Sequence, residues 1–269
     1  MVQNPPTAPD SWPFYQPVGQ EVALFLEAYN RRLPLLIKGP TGCGKTRFVR
    51  HMAARLGRPL FTVACHDDLG AADLVGRHLL ASDGSTRWQD GPLTRAVRQG
   101  GICYLDEVVE ARKDTTVIVH PLADDRRQLP LERTGEVLDA PPEFMLVVSY
   151  NPGYRNMMKG LKPSTRQRFV SLRFGFPPPE VEVAVIMAET GLPLLMARRL
   201  VALGNALRSL ADVDLEEGVG TRLLIHAAAL IQGGVKPLLA GRHALAEALS
   251  DDIETVQAVM DVIEAHLEG

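Results

Sequence analysis

Residues 39–46 read Gly-Pro-Thr-Gly-Cys-Gly-Lys-Thr. They fill every fixed position of the spacing G-x-x-x-x-G-K-[ST]. This run limits the possible folds more than any other part of the chain. Its glycines allow successive backbone N–H groups to turn toward one point, a geometry suited to phosphate oxygens. The spacing needs a strand before it and a helix after it, so that the phosphate meets a helix N-terminus. Both are legible: Leu35–Ile37 is an apolar run of strand type, and Arg47–Leu56 has a helical pattern. The expected binding set is therefore Gly39, Pro40, Thr41, Gly42, Cys43, Gly44, Lys45 and Thr46. In such a loop the lysine (Lys45) reaches the β- and γ-phosphates, and the hydroxyl of Thr46 binds Mg²⁺.

The same alternation continues downstream. Leu60–Ala64, Ile102–Leu105, Met145–Ser149 and Phe169–Leu172 are further short apolar runs separated by helical stretches. Strand-length apolar runs between helices imply a parallel sheet covered on both faces. The expected fold class is α/β, with a five-stranded parallel sheet flanked by helices. At Phe176-Pro177-Pro178-Pro179 the composition changes, and three prolines make a stiff connector. Beyond it the pattern is all-helical, over Glu180–Glu189, Pro193–Ser209, Thr221–Gln232, Pro237–Ala248 and Ile253–Leu267. The expected division is a nucleotide-binding α/β domain at 1–177 and a helical lid at 178–269. Residues 1–17 carry prolines at 5, 6, 9, 13 and 17 and read as an extended arm, with Trp12, Phe14 and Tyr15 as anchors.

Two further strand ends carry candidate chemistry. Ile102–Leu105 runs into Asp106 and Glu107. Asp106 is expected to hold Mg²⁺ through water, and Glu107 to polarise the attacking water as a general base. A solvated acid pair is the plainer alternative, and the glycine-rich loop upstream tips the balance toward chemistry. Val147–Tyr150 runs into Asn151-Pro152. Asn151 either orients the lytic water and senses the γ-phosphate or simply marks an Asn-Pro turn. His66-Asp67-Asp68 lacks a paired ligand set and reads as a loop. Cys43, Cys65 and Cys103 read as small buried thiols, with oxidation or alkylation of Cys43 expected to block nucleotide entry.

Together these elements resemble an AAA+ ATPase: the glycine-rich Walker A loop, a Walker B strand ending Asp106-Glu107, a strand ending in Asn151, an arginine pair and a helical lid. Trp88-Gln89-Asp90-Gly91-Pro92-Leu93 and Gly101-Ile102-Cys103-Tyr104-Leu105-Asp106-Glu107 resemble the MoxR branch and its CbbQ/NorQ/GvpN group, in particular the Rubisco activase motors. Tyr15-Gln16-Pro17-Val18-Gly19, His66-Asp67-Asp68-Leu69 and Asp73-Leu74-Val75-Gly76 add to the likeness, which covers essentially the whole chain.

The resemblance implies ATP as substrate with Mg²⁺, and a homo-oligomeric, hexameric ring with ATP at each subunit boundary. It implies a partner carrying a von Willebrand factor A domain (CbbO-like) and a protein client, foremost Rubisco. Maturation of nitric oxide reductase and gas-vesicle assembly are the sister roles. It places an arginine finger in Pro163-Ser164-Thr165-Arg166-Gln167-Arg168-Phe169, where Arg168 precedes the phenylalanine and Arg166 is the second candidate. A pair of exposed basic residues at a helix end is the alternative. It places a γ-phosphate sensor at Arg222 in Gly218-Val219-Gly220-Thr221-Arg222, with an exposed lid arginine as the alternative. It also places a hairpin around Asp83-Gly84, with Trp88 either touching a client or packed inside, and a second hairpin within residues 124–143.

Composition excludes other classes. Hydrophobic residues are 46% and charged residues 23%, enough apolar surface to fold. The net charge of −3 argues against a large basic surface for nucleic acid, so a nucleic-acid-dependent ATPase is the distant alternative. Three cysteines provide no disulfide framework. No run of about 18 apolar residues is present to span a bilayer, and the start lacks the pattern of a secretory leader. The expectation is a cytoplasmic protein with no membrane role.

Overall fold

Five apolar runs become five parallel strands, and the central three, at Leu35–Lys38, Ile102–Asp106 and Met145–Tyr150, are buried on both faces. The computed structural model describes residues 2–3, 12–80, 82, 84–153, 161–214 and 218–268. The strands are β1 (Val2–Gln3), β2 (Leu35–Lys38), β3 (Leu60–Ala64), β4 (Gly76–Leu80), β5 (Thr86–Asp90), β6 (Ile102–Asp106), β7 (Gln128–Leu131), β8 (Glu136–Asp139), β9 (Met145–Tyr150) and β10 (Val170–Arg173). The main sheet has the order β1-β3-β6-β9-β2-β10. From β3 to β10 all pairings are parallel. The register sets Leu35 beside Val147 and Val170, and Ile102 beside Leu60 and Met145. The sequence did not announce β1, a two-residue strand that pairs antiparallel with β3 at the sheet edge. Of the rest of the arm, residues 4–11 lie outside the described residues. Trp12 meets His51 edge-on at 5.9 Å between ring centroids, and Phe14 is exposed.

The helices are α1 (Glu21–Asn30), α2 (Lys45–Arg55), α3 (Ala71–Val75), α4 (Pro92–Gln99), α5 (Lys113–Ile118), α6 (Pro163–Arg166), α7 (Pro179–Thr190), α8 (Leu194–Asp214), α9 (Thr221–Gln232), α10 (Pro237–Gly241), α11 (Glu247–Leu249) and α12 (Ile253–Leu267). Their limits follow local chemistry. α4 and α7 each open on a proline, which needs no N–H partner there, and each ends at a glycine in left-handed conformation. At α12 the Asp252 carboxylate accepts the Thr255 N–H at 2.8 Å. A π-helical turn at Arg242–Ala246 divides the stretch expected as one helix over Pro237–Ala248.

By compactness the chain forms two units. One takes Gly19–Lys38 and Thr46–Arg173 with the arm through Pro13; the other takes Phe14–Val18, Gly39–Lys45 and the chain from Phe174 onward. In the first, Phe61, Cys103, Leu105, Leu146 and Val148 anchor the core. Two hairpins, β4–β5 and β7–β8, stand outside its main sheet. Arg98 of α4 joins them, bonding Asp90 at 2.9 Å and Glu136 at 2.6 Å. The tip of the first hairpin includes Ala81 and Asp83, outside the described residues. Trp88 is half-buried, packs against the core and donates to Asp90 at 2.7 Å, so its indole is held in place. In the second unit, Ile186, Leu200, Leu207, Leu224, Leu245 and Ile263 form the core of a helical bundle.

Candidate nucleotide site

Open parallel sheets present ligand-binding loops at the carboxyl ends of their strands. β2, β6 and β9 are consecutive neighbours in parallel register, and the candidate residues follow their ends: Gly39 after β2, Glu107 after β6, Asn151 after β9.

The glycine-rich loop is shaped as the spacing requires. Gly42 (φ 75°) and Gly44 (φ 96°) occupy the left-handed region, where other residues are strained. Lys45 begins α2 and is 6% exposed. Its ammonium donates to the carbonyls of Gly39 at 2.8 Å and Pro40 at 3.1 Å, so the charge is satisfied within the loop. The first turn of α2 holds no acidic residue and opens Lys-Thr-Arg. Cations at the positive end of a helix dipole are unfavourable on their own, and a phosphate reverses the sign. Cys43 is buried in the same loop.

The next residue, Thr46, reaches the end of β6. Its hydroxyl donates to Asp106 Oδ2 at 2.9 Å across 60 positions of sequence. Asp106 Oδ1 accepts from the Tyr104 hydroxyl at 2.7 Å and from the Ser149 hydroxyl at 2.6 Å. All three partners are neutral, and among the described residues no cation pairs with this carboxylate. A carboxylate and a hydroxyl, both oxygen donors, suit a hard divalent cation, so the residues present fit Mg²⁺. Burial first, and then the charge of Asp106, push the Tyr104 phenol far above its usual range, so it remains a donor.

Glu107 has φ 53° and ψ 50°, a left-handed conformation that costs a non-glycine residue about 1–3 kcal/mol. The twist turns its carboxylate off the strand direction, and Oε2 accepts the Asn151 backbone N–H at 3.1 Å. The Asn151 side-chain oxygen accepts the Gly153 N–H at 2.9 Å, closing the Asn-Pro turn. Glu107 and Asn151 are thus brought together through the asparagine backbone. Cys65 lies near this charge: burial, then Asp106 and Glu107, push its thiol up to about 12. Burial likewise raises Cys103, so both remain protonated and inert.

The arginine candidates lie on other elements. Arg166 ends α6 and is exposed; Arg168 is half-buried and donates to Ser164 O at 2.6 Å. Thr165, just before them and buried, pairs with His120 Nε2 at 3.0 Å. Arg222 is exposed on the first turn of α9, again a turn with no acidic residue. The turn before it meets the phosphate loop. A Cβ on Gly220 would sit 2.9 Å from Thr41 O, and one on Gly42 would sit 2.9 Å from the Gly220 Cα. Only glycine at both positions allows this approach.

Sequence reading missed the partners. Tyr104 stands two residues before Asp106, on the same face of β6, and Ser149 is a small hydroxyl in a largely apolar strand; period-two alternation was the available signal. It also missed Glu182 of α7. This carboxylate is 0% exposed, forks onto Arg208 at 2.6 and 2.8 Å and accepts the Thr221 hydroxyl at 2.6 Å.

Comparison with known proteins decides the family. A family model described as AAA domain (dynein-related subfamily) matches residues 34–169, and one described as CbbQ/NirQ/NorQ C-terminal matches residues 182–266. The chain belongs to the CbbQ/NirQ/NorQ family of AAA ATPases. Denitrification regulatory protein NirQ of Pseudomonas aeruginosa is 65% identical, over 96% of this chain and 99% of its own. Protein NorQ of Paracoccus denitrificans is 60% identical, over 94% and 93%. Protein CbbQ of Hydrogenophilus thermoluteolus is 54% identical, over 90% of each. Among solved structures, a putative ATPase of Cytophaga hutchinsonii matches with a TM-score of 0.53 and 17% identity, covering 93% of this chain and 90% of the other. A RuvB variant of Thermotoga maritima matches with a TM-score of 0.55 and 17% identity, covering 91% and 70%, which shows the shared fold. This CbbQ/NirQ/NorQ-family protein is therefore an ATPase with a nucleotide-binding AAA domain. No helix among the described residues is long and apolar enough to cross a membrane.

Proposed function

We propose that this protein is a Mg²⁺-dependent ATP-driven motor that remodels a protein client in denitrification, with maturation of nitric oxide reductase as the task. The observation that carries the client assignment is the order of identities: 65% to NirQ and 60% to NorQ against 54% to CbbQ. This favours the sister role over the Rubisco reactivation that the motifs first suggested. The CbbQ likeness still supports Rubisco as the second reading.

Lys45 neutralises phosphate charge, and its two loop carbonyls hold it ready inside the glycine cradle. Thr46 would hold Mg²⁺ directly and Asp106 through water, and the ion would draw off negative charge from the phosphate oxygens. Tyr104 and Ser149 fix the rotamer of Asp106. Glu107 takes a proton from the attacking water; Asn151 holds that carboxylate until it is needed. Arg222 contacts the γ-phosphate in cis. Arg168 or Arg166 reaches the neighbouring subunit's nucleotide in a hexameric ring, worth about 10³–10⁵ in rate. The lid, residues 178–269, swings about Phe176–Pro179, and a partner with a von Willebrand factor A domain receives the motion. The work takes place in the cytoplasm.

Complementation tests the client. In a denitrifying strain lacking its own homologue, this chain is expected to restore nitric oxide reductase activity, and Glu107→Gln is expected not to. Restoration of Rubisco reactivation alone, with its matching partner, would replace the first reading with the second. The finger is tested by mixing subunits: Arg168→Ala with Lys45→Ala recovers ATPase activity if Arg168 acts in trans. No recovery in assembled mixtures transfers the role to Arg166.

A further inference from the structure

The Glu182–Arg208 pair joins four segments of the second unit. Arg208 belongs to α8 and is 11% exposed at its side chain, while Glu182 of α7 is fully buried. Besides the two bonds to Glu182, the guanidinium donates to the Val219 carbonyl at 2.7 Å and to Asn205 Oδ1 at 3.2 Å. It also stacks over the Phe176 ring, 4.1 Å from the centroid, at the proline connector. Glu182 uses Oε1 twice, accepting from Arg208 at 2.6 Å and from the Thr221 hydroxyl at 2.6 Å. The bonded partners Val219 and Thr221 flank Gly220, whose backbone lies against Thr41 and Gly42 of the phosphate loop. Arg222 follows directly.

A bundle of apolar helices does not require such a network. Burying an ion pair seldom adds net stability over apolar residues of similar size, so its presence calls for a specific geometric use. Two bonds of the network reach one short segment, residues 219–221: Arg208 Nε donates to the Val219 carbonyl, and the Thr221 hydroxyl donates to Glu182. A planar guanidinium with a fixed fork suits that role, because each bond constrains the direction of the others.

We propose that Glu182, Arg208 and Thr221 are positioning residues for Arg222, fixing the start of α9 so that its arginine distinguishes a nucleoside triphosphate from a diphosphate. The inference rests on the assignment of Arg222 as γ-phosphate contact. The first turn of α9 leaves this single residue one position beyond the clamp, so a loose Thr221 displaces Arg222 first. Phe176 under the same guanidinium ties the connector to that turn.

The test compares affinity for ATPγS and ADP, read by titration calorimetry. Arg208→Ala leaves a buried carboxylate unpaired and risks unfolding, so the working variant is Thr221→Val, which keeps the ion pair. Thr221→Val is expected to weaken ATPγS by about tenfold or more, the loss of one hydrogen bond to a charged group. ADP affinity should move less than about twofold. Thr221→Ser, which keeps the hydroxyl, should restore most of the ATPγS affinity. In an Arg222→Ala background, Thr221→Val should have no further effect. Equal weakening of both nucleotides, or full additivity with Arg222→Ala, overturns the positioning role. If Arg222→Ala alone leaves the ATPγS-to-ADP ratio unchanged, the γ-phosphate assignment itself is overturned.

Discussion

Asp106 and Glu182 are both carboxylates held by three donor groups or fewer, yet they serve opposite ends. Asp106 accepts only hydroxyls, from Thr46, Tyr104 and Ser149. Its charge is oriented, and among the described residues no cation balances it, an arrangement that would suit the proposed cation. Glu182 accepts a guanidinium fork and a hydroxyl, and is fully buried. Its charge is balanced by the guanidinium. The kind of donor, more than the number, separates a carboxylate left open to a cation from one whose charge is already paired.

Three measurements test that distinction, taken from the largest expected effect downward. On the open side, Glu107→Gln should retain ATP binding and lose about 10²–10⁴ in turnover, by single-turnover hydrolysis; near-normal rates would remove Glu107 as the base. On the closed side, Arg208→Ala should cost about 3–5 kcal/mol, by urea denaturation, because it strands a buried charge. A loss under about 1 kcal/mol would mean that Glu182 finds water or protonates cheaply, and the contrast would fail. The smallest effect belongs to Tyr104→Phe. It removes one neutral donor to Asp106 and should weaken Mg²⁺ affinity in the nucleotide complex by up to about tenfold, with nucleotide affinity in EDTA unchanged. An unchanged Mg²⁺ titration would make the tyrosine a packing residue only.

The fold was legible where apolar run length and turn chemistry agree. All five parallel strands stand where short apolar runs stood, and α9 and α12 match their expected bounds. The helix expected over Pro237–Ala248 was interrupted because a π-helical turn leaves no mark in hydrophobic periodicity. β1 was missed because a two-residue edge pairing has no pattern of its own. The glycine-rich loop and the Asp106-Glu107 pair were legible because backbone freedom and paired carboxylates at a strand end are local chemistry.

The sequence by itself determined the phosphate loop, the parallel sheet and the helical C-terminal part, since each follows from residues close together in the chain. Tertiary structure alone decided which polar residues meet. Tyr104 and Ser149 join Asp106 through strands 43 residues apart at the serine, and Glu182 finds Arg208 across 26 and Thr221 across 39. Among several acids in α7, nothing local marks Glu182 for burial. The choice depends on which helix face the bundle closes over, and that is settled only when the helices pack.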